Sequence, residues 1–169
     1  MGLARAKQPV AAFQNLPEAA PCMTNFALLD AARIPNLPHL LEAYRLSHQS
    51  LFAGRQGREL QDVAPHLVAL SGASPQAQDF IWQALDDGHG IFLQSALSAE
   101  ALRRHLKKFL RARIDRKFVY VKYYLPQNFI YVLDSSRILD GFFDEVAAAM
   151  MSDIGFDHGF VLIRAEGTV

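Results

Sequence analysis

The sequence predicts an α/β fold in which helices cover both faces of a layered, mainly parallel sheet. Strand-like and helix-like segments alternate along most of the chain, and the strand candidates are short apolar runs without polar alternation. Such runs are typical of strands that are buried on both faces, as they are in parallel sheets. The final strand is the one that we also allow to be antiparallel.

The length and composition fit one globular domain. The chain has 169 residues, 51% of them hydrophobic, and a chain of this size buries roughly 70% of its unfolded surface without a disulfide or a metal. Residues 1–22 mix alanine, proline and isolated charges without a sustained period, so we interpret them as a flexible leader. Residues 23–169 then form a single α/β domain.

The first half of the domain contains two predicted strands and two predicted helices. Residues 26–30 and 63–70 are apolar strand candidates, residues 39–47 resemble a helix, and residues 51–59 a loop. A second helix opens at Ser74-Pro75, with Ser74 as its cap and Pro75 in its first position, and it ends before Gly88. A serine cap and a proline in the first helical position both suit the free N–H groups of a helix start.

The second half continues the alternation. The patterns predict a strand at 91–93, a helix at 98–113, a strand at 118–124, a helix around 138–150 and a strand at 160–163. The helix around 138–150 is inferred from apolar residues that recur at three- and four-residue spacing from Ile138 to Met150.

Charge is sorted along the chain although the total cancels, with 17 basic and 17 acidic residues. Residues 98–122 carry nine basic and two acidic side chains. On the predicted helix 98–113, Arg104, Lys107, Lys108 and Arg111 lie opposite the leucine stripe. This cationic face is consistent with a solvated surface, with contact to an acidic protein, or with nucleic-acid binding.

No pattern for catalysis, for a cofactor or for a metal is present in the sequence. Cys22 stands alone in a proline-flanked stretch, and the six histidines never adopt the spacing of a zinc site. We predict that His105, beside the apolar stripe, is a hydrogen-bonded residue at the core boundary. Because the sequence contains no signal-peptide pattern and no membrane span, it predicts a cytoplasmic protein. Because it contains no catalytic motif, it predicts a protein that is not an enzyme.

Five ordered segments together resemble the adaptor-chaperone family of bacterial type VI secretion. The similarity extends from about Phe26 to Val146. The five segments are Leu28–Arg33 (LLDAAR), Leu51–Gly54 (LFAG), Val63–Val68 (VAPHLV), Leu102–Leu110 (LRRHLKKFL) and Phe142–Phe143. In two places the chain departs from the family pattern. Tyr123-Tyr124-Leu125-Pro126-Gln127 replaces an aromatic-Asp-Pro-Arg sequence, and Asp144 replaces a glycine.

The resemblance implies a cytoplasmic adaptor that binds a toxic effector and helps to load it onto the VgrG-type spike. It implies no enzyme activity, cofactor or membrane contact, and it assigns Asp30, Arg33, Arg103 and His105 to the structural signature of the family. Relatives commonly carry a further C-terminal lobe. Because this chain is shorter, the resemblance also implies a second adaptor subunit as a candidate partner.

For the binding surface we hypothesise that Arg104, Lys107, Lys108 and Arg111 steer an acidic partner, while Tyr123 and Tyr124 supply exposed aromatic contacts. Two other functions remain open. One is a nucleic-acid-binding regulator that uses the basic helix 98–113, although no groove-reading motif supports it. The other is an α/β enzyme with polar groups at the carboxyl ends of its strands, near Asp30 and Ser95.

Overall fold

The computed structural model describes residues 2–9, 21–153 and 159–165. Its elements in chain order are β1 (Leu3–Pro9), β2 (Thr24–Asp30), α1 (Leu37–Ala43), β3 (His48–Ser50), α2 (Gly54–Glu59), β4 (Pro65–Ala69), α3 (Pro75–Asp86), β5 (Gly90–Ser95), α4 (Ala99–Lys107), β6 (Arg111–Ile114), β7 (Lys117–Tyr120), α5 (Pro126–Ser135), a 3₁₀ helix (Phe142–Asp144), β8 (Ala148–Asp153) and β9 (Gly159–Ala165). Every helix in these ranges falls short of the length and apolar character that a bilayer crossing requires.

Seven strands form one sheet, and every neighbouring pair in it is antiparallel. The order is β1-β9-β8-β5-β2-β4-β3. Strands β6 and β7 form a separate two-stranded sheet.

Both faces of the large sheet are covered, because successive strand residues point to opposite sides. In β2, Phe26 and Leu28 belong to the core cluster that includes buried residues of α4, α5 and the 3₁₀ helix. Ala27 and Leu29 belong to the cluster that includes buried residues of α1 and α3. The domain therefore has two apolar cores, one on each face of the sheet.

The prediction of a mainly parallel sheet is wrong. Strands β4 and β5 are joined by α3 and run parallel to each other, as a helical crossover requires, but β2 lies between them and pairs antiparallel with both. Burial on both faces follows from the helices that cover the sheet, and it does not depend on strand direction. The apolar runs therefore predicted correctly that both faces of the sheet are buried, but they led to the wrong strand direction.

The helix that the sequence places around 138–150 is also absent. Gly141, at a φ of 80°, precedes the short 3₁₀ helix, and the apolar run that follows becomes β8, a buried strand between β5 and β9. The helix of this region instead begins at Pro126, which occupies its first turn.

The predicted helix 98–113 and strand 118–124 have different bounds in the structure. Helix α4 ends at Lys107, and Arg111–Ile114 forms β6, which pairs with β7. The strand ends at Tyr120. Earlier in the chain, the predicted helix 39–47 is α1 and ends at Ala43, and the predicted loop 51–59 contains α2.

Helix α3 confirms the prediction made from its ends. The Ser74 hydroxyl accepts a hydrogen bond from the Ala77 backbone N–H at 3.2 Å, and Pro75 occupies the first turn. Gly88 follows the helix at a φ of 71°. These contacts lie within a few residues of one another, which is why the sequence alone predicts them.

Strand β1 lies within the segment that the sequence analysis interpreted as a flexible leader. Leu3–Pro9 pairs along its whole length with β9 and forms one edge of the large sheet. Residues 10–20 lie outside the described residues, and the division at residue 22 stays a prediction.

Candidate functional site: a groove beside the exposed hairpin

A groove of about 800 Å³ lies between the β6–β7 hairpin, the end of α4 and the segment that precedes α2. Leu51, Phe52 and Ala53 form one wall. The remaining lining residues come from α4 and the hairpin: Lys107, Leu110, Arg111, Phe118, Val119 and Tyr120. The groove is therefore mostly apolar, with two cations among the residues that line it.

The hairpin projects large apolar side chains into solvent. The exposed fraction is 47% for Ile114, 76% for Phe118, 36% for Val119 and 42% for Tyr120. A contiguous group of exposed apolar residues of this kind is typical of interaction sites.

A tight turn holds the hairpin in register. Ile114 pairs with Lys117 across a two-residue turn at Asp115 and Arg116, whose φ values of 48° and 66° are both left-handed. Two left-handed residues in succession are the signature of the turn type whose twist matches that of paired strands. The turn thus forms without the glycine or asparagine that would have marked it in the sequence.

Arg103 fixes the opposite wall of the groove. Its Nε donates to the Ser50 carbonyl at 2.6 Å and its Nη2 donates to the Phe52 carbonyl at 3.1 Å. The Phe52 ring then meets the Tyr120 ring edge-on, with 5.6 Å between the ring centroids. Both walls are therefore held in place by contacts within the protein, and the groove is preformed.

The four cations predicted to form a binding face are Arg104, Lys107, Lys108 and Arg111. Arg104, Lys108 and Arg111 are exposed and Lys107 is half-buried. Within the part of the chain that the structure describes, no carboxylate lies within 4.0 Å of any of the four. Lys107 and Arg111 line the groove, so the cationic face and the groove adjoin.

Tyr123 and Tyr124 do not form an exposed surface, and that part of the hypothesis is wrong. Both side chains are buried, and they pack edge-on against each other with 5.8 Å between centroids. The Tyr123 hydroxyl donates to the Leu106 carbonyl at 2.9 Å, and burial raises the pKa of both phenols. They lie after the end of β7, where the chain turns back into the core.

His105 has the structural role that its position predicts. It is buried, and its Nε2 lies 2.9 Å from the Phe142 carbonyl, to which it donates. The hydrogen bond joins α4 to the 3₁₀ helix.

Asp30 and Arg33 lie at the end of β2, away from the lining of the groove. The buried Asp30 carboxylate accepts the Ala32 N–H at 3.0 Å through Oδ1. Its Oδ2 lies 3.7 Å from the Lys122 ammonium and 3.9 Å from Arg33 Nε. Lys122 thus connects Asp30 to the chain just beyond β7, and the carboxylate ties the sheet to the segment that leaves the hairpin.

The polar site expected of an α/β enzyme near Asp30 and Ser95 does not assemble. Strands β2 and β5 are antiparallel, and Ser95 pairs with Thr24, at the opposite end of β2 from Asp30. The Ser95 hydroxyl donates to the Glu145 carbonyl at 2.6 Å. Among the described residues there is also no group of three or more His, Cys, Asp or Glu side chains able to hold a metal ion.

A comparison with protein-family models matches residues 25–137 to a family described as a domain of unknown function, DUF4123. The chain belongs to the DUF4123 family. The matched residues include every residue that lines the groove, and they include four of the five segments quoted for the resemblance, with Phe142–Phe143 outside. No curated protein and no solved structure matches the chain.

The apolar residues of the groove, chiefly Phe52, Phe118 and Tyr120, are not among the binding residues that the sequence predicts. Phe118 and Tyr120 were assigned to a longer buried strand, because an apolar run carries no sign of which of its residues face solvent. The sequence pattern that could have identified them is the alternation of Lys117 and Val119 with Phe118 and Tyr120, which is typical of a strand with two different faces.

Proposed function

We propose that this DUF4123 protein is a cytoplasmic, non-enzymatic adaptor that binds a toxic effector and helps to load it onto the VgrG-type spike of a type VI secretion system. The observation that carries the proposal is the family match, which spans the whole groove, since the family is known in adaptors of type VI effectors. A second adaptor subunit is a further candidate partner.

The geometry supports a protein-binding role for this surface. Exposed aromatic side chains supply most of the affinity in protein interfaces, and charges beside them set the association rate and the specificity. Here Phe118 and Tyr120 lie beside Lys107 and Arg111. The adaptor would meet its cargo through the hairpin and the cationic face of α4.

One observation favours a second candidate, a nucleic-acid-binding regulator. Exposed aromatic rings next to arginine and lysine also suit the stacking of unpaired bases. Such a protein would lose affinity steeply with salt, because each phosphate contact releases a counterion. Salt dependence therefore separates the two functions.

The test is affinity purification of the tagged chain from its native host, with washes at low and at high salt and identification of the retained protein and nucleic acid. The adaptor function predicts that one large secreted protein and a spike subunit remain after the high-salt wash. Nucleic acid at low salt with nothing at high salt would contradict it.

A charge-reversal variant shows whether the cationic face takes part. Replacing Arg104, Lys107, Lys108 and Arg111 by glutamate is expected to reduce recovery of the effector. The matched control reverses four exposed arginines elsewhere, Arg45, Arg55, Arg137 and Arg164, and so changes the net charge equally. Equal recovery with both variants across salt concentrations would remove the electrostatic part of the proposal.

A further inference from the structure

The β6–β7 hairpin presents two different faces. Across the strands Arg111 pairs with Tyr120 and Arg113 pairs with Phe118. Because side chains alternate along each strand, these four residues share one face. That face therefore alternates guanidinium groups with aromatic rings.

Four of the residues that line the groove have aliphatic side chains, which cannot form hydrogen bonds. Leu51, Ala53, Leu110 and Val119 are all aliphatic, so they offer nothing to a phosphate or to the edge of a base. A volume of about 800 Å³ lies within the range of about 300 to 1,000 Å³ that is common for ligand sites. The cavity has room for apolar side chains of a partner.

The cations around the groove lack internal partners. Lys107 and Arg111 line it, Arg113 shares the aromatic face of the hairpin, and all three have no ion pair among the described residues. Cations without an ion pair that border an apolar lining are complementary to carboxylates that flank an apolar side chain.

From this complementarity we propose that the groove binds a short acidic segment of a protein that carries at least one large aliphatic or aromatic side chain. The apolar side chain enters between Phe52 and Phe118, and the flanking carboxylates pair with Lys107 and Arg111. The inference rests on the proposed adaptor function, in which the segment belongs to the cargo.

The test uses fluorescein-labelled probes of known composition and the full-length chain. The first is a twelve-residue peptide of Glu and Asp around a central Phe and Leu. In the second, glutamine and asparagine replace the acids, in the third serine replaces the apolar pair, and the fourth is a twelve-nucleotide uridine RNA. Fluorescence anisotropy at 50 and 300 mM salt gives each dissociation constant.

We expect the first peptide to bind at least about tenfold more tightly than the other three probes. Tighter binding of the RNA, or equal binding of the peptide that lacks apolar residues, would overturn the proposal in favour of a purely electrostatic surface.

Two pairs of variants locate the site. Phe118→Ser and Arg111→Glu are expected to weaken binding of the first peptide about tenfold or more. Arg111→Glu should also reduce the loss of affinity with salt. The matched controls are Tyr131→Ser and Arg137→Glu. Tyr131 is 72% exposed on α5, and neither residue lines the groove, so both variants should bind the first peptide normally. Equal effects of Phe118→Ser and Tyr131→Ser would overturn the assignment to the groove.

The same variants separate this proposal from the adaptor function. If Phe118→Ser retains the effector in the host purification, the function stands and the groove is not its binding site. If the wild-type groove binds the acidic peptide but no secreted protein is recovered from the host, the groove proposal stands and the adaptor function fails.

Discussion

Arg103 and Arg104 are neighbours in sequence with opposite roles. The Arg103 side chain is only 17% exposed, and it donates to two backbone carbonyls of the groove wall, whereas Arg104 is exposed. Hydrogen bonds from a charged group contribute about 1.5 to 3 kcal/mol when they are buried.

We therefore predict that Arg103→Gln lowers the free energy of unfolding by about 2 kcal/mol, and that Arg104→Gln changes it by less than about 0.5 kcal/mol. Urea denaturation of the two variants measures this. If both lose the same stability, the hydrogen bonds to Ser50 and Phe52 do not support the fold.

Two histidines form a titratable pair beside the same wall. The Nδ1 atoms of His48 and His66 lie 3.2 Å apart, and His66 Nε2 lies 2.9 Å from the Gln61 carbonyl. His66 therefore donates through Nε2 and accepts through Nδ1 a hydrogen bond that His48 donates. Burial lowers the pKa of both imidazoles. Protonation of His66 at Nδ1 would place its N–H against the N–H of His48.

This pair makes stability depend on pH. The unfolded chain binds protons more readily than the folded one, because its histidines titrate near pH 6.5. The two neutral histidines contribute fully to the free energy of unfolding above about pH 6.5. This contribution is lost as the pH falls from the pKa of the unfolded chain towards the lowered pKa values of the folded protein. We expect His66→Gln to flatten the fall in urea midpoint between pH 7.5 and 5.5. His39→Gln, at an exposed position, should keep it. A wild-type slope in His66→Gln would contradict this assignment.

The turn between β6 and β7 requires a left-handed backbone at Arg116, a conformation that arginine does not favour. Arg116 has a φ of 66°, and a left-handed conformation costs a residue with a Cβ about 1 to 2 kcal/mol. Glycine avoids this cost but loses more entropy on folding.

Arg116→Gly is predicted to stabilise the hairpin by about 0.5 to 1 kcal/mol. Lys117→Gly, one residue later in β7, should have the opposite sign, because glycine weakens a strand. Hydrogen exchange of the β6–β7 amides measures both effects. Faster exchange in Arg116→Gly would show that the turn is not the local determinant of the hairpin.

Elements were predictable where their cause is local. The cap and first turn of α3 involve Ser74, Pro75 and Ala77, all within four residues. The run from Val146 to Met151 was not predictable in this way, because the same apolar spacing suits a helix on the surface of a sheet and a strand inside one. Its pairing partners in β5 and β9 decide between them.

At the scale of the whole molecule, β1 closes one edge of the large sheet. It pairs with β9 from Leu3↔Ala165 to Pro9↔Gly159. Without it, β9 would present unpaired backbone groups beside the buried residues Phe160 and Ile163. An exposed apolar edge strand promotes association between chains.

Deleting residues 2–9 is therefore expected to lower Tm by about 5 °C or more and to cause concentration-dependent association. Arg5→Ala, which removes the exposed ion pair with Asp134 but keeps the strand, should change Tm by about 2 °C or less. Calorimetry and light scattering measure the two outcomes. An unchanged Tm after the deletion would favour the interpretation of residues 1–22 as a flexible leader.

The candidate site was only partly predictable. The cationic residues Arg104, Lys107, Lys108 and Arg111 lie together as helical spacing predicts, apart from Arg111, which the hairpin brings to the groove. The aromatic residues were assigned wrongly, since Tyr123 and Tyr124 are buried while Phe118 and Tyr120 are exposed. Only the turn at Asp115 and Arg116 and the return of the chain into the core determine which rings face solvent.

Features that depend on near neighbours could be predicted from the sequence: the α3 cap, the buried strands β2, β4, β5 and β9, the core position of His105 and the DUF4123 domain. Strand direction and the groove depend on contacts between residues that are far apart in the sequence. A helical crossover makes β4 and β5 parallel, but β2 lies between them and pairs antiparallel with both. Hydrophobic periodicity records how deeply a residue is buried, and it contains no information on which distant strand or wall will lie beside it.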